Sequence, residues 1–234
     1  LFEVAIFSPT GEEMPRVPVR EGRTTVYDFI FEGTTVSVDY RIEARRTASL
    51  LIYLRLLNPS AGIWKIRVYP QSIVEGDYHM WLPLQQFTDG DIFFLRSNPS
   101  TTLTIPSSAT QVISVGAYNT ANGGAYADSG RGYLTTGEVK PDFVAPGVNV
   151  YGPGARGNYI RQTGTSVAAA ITAGAVAQVM QWAIVDRNAP TISNTGIKNM
   201  LIRGTGRPAG RQFPNPEWGY GSLNIYTAFE MLRN

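Results

Sequence analysis

A chain of 234 residues lies between one large and two small domains and is long enough to bury a substantial core. With 43% hydrophobic and 16% charged residues, 24 glycines and 15 prolines, it has the composition of an ordered, turn-rich globular protein, which excludes disorder and a coiled coil. The net charge of +2 is small, and all but three of the 20 cations are arginines spread along the chain, so a nucleic-acid partner is not expected.

No window holds ~18 uninterrupted apolar residues, so no membrane span is expected. The absence of cysteine excludes a disulfide framework, thiol catalysis and cysteine-based zinc sites without fixing the compartment. The opening Leu1-Phe2-Glu3-Val4 has neither an initiator methionine nor a signal-peptide pattern, which leads us to expect a segment of something longer.

From residue 2 to about residue 96 short alternating runs predict strands: Phe2 to Phe7, Thr25 to Phe31, Thr35 to Ile42, Ser49 to Leu57, Ile63 to Tyr69, Tyr78 to Leu84 and Asp91 to Leu95. Breakers separate them, among them Ser8-Pro9-Thr10-Gly11, Asn58-Pro59-Ser60-Ala61-Gly62, Glu75-Gly76-Asp77 and Asp89-Gly90-Asp91. Their spacing favours an all-β sandwich. In the run from Ile63 to Tyr69, the side chains of Trp64, Ile66 and Val68 share one face while Lys65 and Arg67 take the other, as in a half-buried strand. Residues 1 to 100 carry a net charge of −2 and residues 101 to 234 a net +4, so charge changes with texture.

Beyond residue 100, Gln111 to Ala117 and Phe143 to Ala145 read as short buried strands. Thr165 to about Asp186 is Ala- and Gly-rich, with Val167, Ile171, Ala175, Val179 and Trp182 at helical steps, and predicts a central helix. A second helix is expected from Ser193 to Arg203, capped by Ser193 or Asn194, and a third from about Leu223 to Leu232. This half is α/β.

Gly164-Thr165-Ser166-Val167-Ala168-Ala169-Ala170 puts a serine in the first turn of the Ala-rich helix, where unpaired N–H groups and the positive end of the macrodipole meet. An ordinary N-cap serine and a nucleophile beside a partial oxyanion hole both fit that position. Ahead of it lies Pro141-Asp142-Phe143-Val144-Ala145-Pro146-Gly147-Val148-Asn149-Val150, and after it Glu217-Trp218-Gly219-Tyr220-Gly221-Ser222-Leu223-Asn224. In this order the three stretches resemble the C-terminal hallmarks of the subtilisin-like serine proteases, the subtilases, over roughly residues 100 to 234.

The resemblance implies that Ser166 is the nucleophile and that its own N–H is one oxyanion donor. Gly164 and Thr165 would then bind substrate, as would Pro106, Ser107 and Ser108, which would border the pocket for the side chain preceding the cleaved bond. Chain order in the family is Asp, His, Ser, so both partners belong ahead of Ser166. The single histidine, His79, lacks the small neighbours of the family's catalytic histidine and is expected on a sandwich strand. Turn or cap roles are expected for Asp128 and Asp142, and Asn58 and Asn98 precede prolines as turn residues, so the triad Asp and His and the oxyanion Asn are expected upstream of this chain. The implied fold is α/β for residues 98–234, the C-terminal part of a subtilisin-like domain with parallel sheet and helices. Residues 1–97 would be an inserted all-β, jelly-roll-like sandwich similar to that of the clostridial germination-specific subtilases. Ala170 and Ile171 stand where the family commonly has Pro and His, marking a divergent branch.

The implied function is a fragment of a subtilisin-like endopeptidase, inactive alone. Its partners would be a peptide or protein substrate and the upstream part of the same polypeptide, without cofactor or metal. Its location would be secreted, cell-envelope or spore-associated. A pseudoprotease or a β-sandwich binding module is the alternative. Asp77, Asp89 and Asp91 could line a calcium site but read equally as turn residues. Arg203 to Arg211 reads as a solvated basic loop, and Tyr53, Trp64, Tyr69 and Trp81 as sandwich core.

Overall fold

The computed structural model describes residues 1–44, 48–72, 76–84, 87–88, 90–155 and 157–232. The chain forms two compact units, Leu1–Ile92 and Phe93–Asn234.

In the first unit the strands are β1 (Phe2–Phe7), β2 (Glu13–Val17), β3 (Thr25–Phe29), β4 (Thr34–Ala44), β5 (Ala48–Leu57) and β6 (Lys65–Pro70). They form two antiparallel three-stranded sheets, ordered β2-β1-β6 and β3-β4-β5. The period-two pattern turns Val4 and Ile6 of β1 and Val36, Val38 and Tyr40 of β4 inward, where they share one core with Met14, Val17 and Phe29. Trp64, Ile66 and Val68 pack against that core, and Trp64 meets Phe29 edge-on at 5.2 Å between ring centroids. Burying such side chains contributes about 1.5–3 kcal/mol each, so this unit carries its own hydrophobic stabilisation.

Three expectations for this unit need correction. Strand β2 escaped notice because Pro15 interrupts its alternation, yet an edge strand tolerates a residue without an N–H, and the ladder to β1 shifts register between Val4 and Ile6. Tyr78 to Leu84 and Asp91 to Leu95 form no ladder among the described residues; Pro83 interrupts the first, and Tyr78 and Phe93 are 58% and 70% exposed. Alternating hydrophobicity made them resemble strands, but none of the described strands forms a ladder with them. The aromatic residues also divide: Trp64 joins the core, Tyr69 lies under Arg16, and Tyr53 and Trp81 are exposed, the former beneath Arg41.

The second unit is built on β7 (Val115–Asn119), β8 (Gly124–Ala125) and β9 (Phe143–Pro146), in the order β8-β7-β9 with β7 and β9 parallel. On the far side of β9 the backbone near residue 222 continues the ladder, with Val144 N–H donating to Gly221 O (2.9 Å) and Leu223 N–H to Val144 O (2.8 Å). A separate hairpin pairs β10 (Val150–Pro153) with β11 (Tyr159–Gln162). The helices are α1 (Thr165–Met180), prolonged by a π-helical turn at Gln181–Val185, then α2 (Asn194–Arg203) and α3 (Ile225–Glu230). Ser193 Oγ caps α2 through Gly196 N–H, which settles the choice between Ser193 and Asn194, and Asn224 Oδ1 caps α3 through Thr227 N–H. Helix α3 starts later than expected because Leu223 is still bonded to β9.

Phe143 of β9 packs with Val179, Ile197, Met200, Leu201 and Ala228 from the three helices. By length and composition the stretch Thr165–Val185 is apolar enough to cross a membrane, against the expectation that no segment would qualify. Its many alanines raise hydropathy without an unbroken run of large apolar residues. Ala168, Thr172, Ala175 and Val179 form its buried stripe against the unit, while most of its other residues are exposed or half-buried.

Candidate functional site

Strands β7 and β9 run in parallel towards the start of α1, and small residues make the convergence possible. Ala117, Ala145 and Ala168, one from each element, are fully buried against one another. Gly147 N–H donates to Tyr118 O (3.0 Å) and Gly164 N–H to Gly147 O (2.8 Å), so the loop after β9 is tied both to β7 and to the helix start. A Cβ at Gly147 would lie 2.6 Å from Ala117 Cβ and 2.9 Å from Gly164 O, which is why no larger residue fits there.

Gly164 is the N-cap of α1, with φ 150° and ψ 164°, a backbone region open essentially to glycine alone. It places Ser166 as the second residue of the helix, exposed to solvent, and no side chain caps this helix start. The N-cap reading of Ser166 is therefore wrong: Gly164 occupies that position. Val167 N–H and Ala168 N–H reach back to Gly164 O at 3.1 and 3.4 Å, whereas the N–H groups of Thr165 and Ser166 precede the first helical acceptor. The first turn holds no acidic residue, so the positive end of the helix is left uncompensated beside the hydroxyl. Chemically, an exposed hydroxyl next to free N–H donors suits attack on a carbonyl and stabilisation of the resulting oxyanion.

Just ahead of this start, β10 and β11 bring Asn149 back to Thr163, whose Oγ1 accepts from Asn149 N–H at 2.9 Å. The exposed rings of Tyr151 and Tyr159 stack at 5.4 Å on the hairpin. Pro106, Ser107 and Ser108 lie on a turn in which Ser107 N–H donates to Thr104 O and Ala109 N–H to Pro106 O, with both serines half-buried. Gly164, Thr165 and Ser166 are thus gathered at one helix start, while no hydrogen bond among the described residues joins them to the Pro106–Ser108 turn.

His79 lies in the first unit on exposed backbone outside any described strand and stacks on Trp81, so the expected strand position is corrected. Asp128 sits on an exposed turn and Asn98 Oδ1 accepts from Ser100 N–H as a turn residue. The basic loop is less free than expected: Arg207 donates to Tyr220 O, and Arg211 lies 4.3 Å over the Trp218 ring. Of the acidic residues weighed for calcium, Asp89 lies outside the described residues.

Asp142 is not a turn residue but the centre of a buried ionic cluster that sequence reasoning missed. Its Oδ2 accepts from Lys140 Nζ (3.0 Å) and Ser114 N–H (2.7 Å), and its Oδ1 from Lys198 Nζ (2.9 Å). Burial pushes the Lys140 ammonium below the ordinary lysine value. Around Lys198 burial acts the same way, but the hydrogen bond and charge of Asp142 outweigh it and hold that group above the ordinary value. The spacing Lys140-Pro141-Asp142 was the legible half; Lys198 comes from another element.

A model of the Subtilase family, peptidase S8, matches residues 87–221. The chain belongs to the subtilase family. It is similar to the membrane-bound transcription factor site-1 protease of Mus musculus and that of Rattus norvegicus, each 33% identical over 97 residues, or 41% of this chain and 9% of the relative. Among solved structures it resembles the Clostridium perfringens CspB protease, with a TM-score of 0.84 and 29% identity over 100% of this chain and 50% of that one. The subtilase chain thus spans half of that protease and under a tenth of the curated relatives it matches. Membership places it in a family of serine peptidases and gives it a subtilisin-like fold in the region that carries α1.

Proposed function

We propose that this chain supplies the nucleophile-bearing part of a subtilisin-like serine endopeptidase. The observation that carries the reading is the exposed Ser166 hydroxyl at an uncapped helix start whose N-cap is glycine. Ser166 Oγ attacks the scissile carbonyl carbon while its proton passes to a histidine, and the oxyanion is received by Ser166 N–H. The histidine then protonates the leaving amine as the C–N bond breaks, and water hydrolyses the acyl-enzyme. The histidine and its aspartate, with the oxyanion asparagine, come from the upstream part of the same polypeptide. Gly164 and Thr165, and Pro106, Ser107 and Ser108, line the substrate path. Residues 1–97 form a jelly-roll-like insertion in a catalytic domain that resumes over 98–234, and the two-sheet core of the first unit supports that reading. A secreted, cell-envelope or spore-associated location fits the same family resemblance.

The test is covalent labelling with a fluorophosphonate probe. The complete polypeptide should react stoichiometrically, with the adduct mapped by mass spectrometry to Ser166, and the 234-residue chain should not react, because without its base the serine loses several orders of magnitude in rate. Equal labelling of the isolated chain would contradict the division of the triad. No labelling of the complete polypeptide would favour a pseudoprotease.

A further inference from the structure

Among the described residues the segment between the Pro106–Ser108 turn and β7 joins no strand ladder, since β7 begins only at Val115. Side chains hold it instead, at every second residue. Lys198 Nζ, from α2, donates to Thr110 O at 3.1 Å. Lys140 Nζ donates to Val112 O at 3.0 Å. Ser114 gives its N–H to Asp142 Oδ2 and receives Asp142 N–H at its carbonyl, each at 2.7 Å. The Asp142 carboxylate joins both ammonium groups, so three side chains from the β9 approach and α2 grip alternate residues of a segment that would otherwise lack a ladder.

Stability alone is a poor reason for this cluster. Lys140 is fully buried and Asp142 is 2% exposed, and two cations face one buried anion, with Glu138 adding only a more distant negative charge at Lys198. Desolvating such charges costs several kcal/mol each, and apolar replacements of similar volume are often equally stable. What apolar residues would not do is fix two carbonyls and an N–H in one register.

We propose that Lys140, Asp142 and Lys198 are positioning residues that hold the 110–114 segment, and through it the Pro106–Ser108 turn, as a fixed wall of the substrate pocket. The proposal rests on the reading of Ser166 and of that turn given above. It assigns the cluster to substrate binding and not to the chemical step.

Lys198→Met is the informative variant, because Lys198 is partly exposed and its loss releases Thr110 O while Asp142 keeps Lys140. In the 234-residue chain, amide hydrogen exchange at Ser107, Ala109 and Ser114 should quicken relative to wild type while β7 residues Val115–Asn119 keep their protection. Unchanged exchange at those amides would overturn the proposal. In the complete polypeptide, KM for peptide substrates should rise at least ~5-fold with kcat changed less than ~2-fold, fluorophosphonate labelling of Ser166 should be unaffected, and Lys198→Arg should restore KM. An unchanged KM in the folded variant, or equal losses in kcat and labelling, would also overturn it. Failure of the wild-type polypeptide to label at all would instead strike the reading of Ser166, which keeps the two failures distinct.

Discussion

At the scale of single residues, the helix start is decided by Gly164 and not by the serine beside it. With φ at 150°, Gly164 cannot be replaced without strain, so Gly164→Ala should destabilise the chain by more than ~1 kcal/mol. Ser166→Ala should change stability by less than ~0.5 kcal/mol, since an N-cap serine is worth ~0.5–2 kcal/mol and this one caps nothing. Urea unfolding of the three proteins checks both, and a loss of ~1 kcal/mol for Ser166→Ala would restore the capping role. The heptapeptide from Gly164 to Ala170 left both roles open because residue types at a helix N-terminus serve capping and catalysis alike; the backbone dihedrals remove the capping role by making Gly164 the N-cap. Asp142 escaped for a related reason. A short acidic-proline spacing reads as a turn, and nothing local announces a lysine arriving from a helix more than fifty residues later.

At the scale of elements, strands with clean alternation and a partner were legible, as β1, β4 and β5 show, whereas alternation without a partner misled. Tyr78 to Leu84 has the composition of a strand but joins no ladder among the described residues, and Pro15 hid β2 because an edge strand tolerates what a central one would not. Within the first unit Tyr40 is the largest fully buried side chain, and its hydroxyl donates to Val17 O at 2.8 Å, linking the two sheets. Burial pushes its pKa above the ordinary tyrosine value of about 10. A raised folded pKa means that this contribution is fully present below about pH 10 and is lost as pH rises through the folded value. Tyr40→Phe should therefore cost ~0.5–1.5 kcal/mol at neutral pH, and its deficit against wild type should shrink by about pH 11, because the phenol that unfolding exposes in wild type then ionises and favours the unfolded state. Urea midpoints at the two pH values measure this; a constant deficit would show that Tyr40 ionisation is not linked to folding.

At the scale of the whole molecule, the change from strand texture to α/β texture near residue 100 was readable from composition and periodicity, and the structure divides at Ile92 and Phe93. Family membership was legible because three short stretches in a fixed order surround one helix start, and the matched span of residues 87–221 covers the first two and reaches into the third. The nucleophile we propose, Ser166, belongs to a peptidase completed by upstream sequence. The most direct test compares the complete polypeptide with its Ser166→Ala variant, both folded by circular dichroism, for hydrolysis of an unstructured protein substrate. Turnover is expected in the wild type and, in the variant, a loss of about 10⁶-fold in kcat. Equal hydrolysis by the two proteins would contradict that role for Ser166.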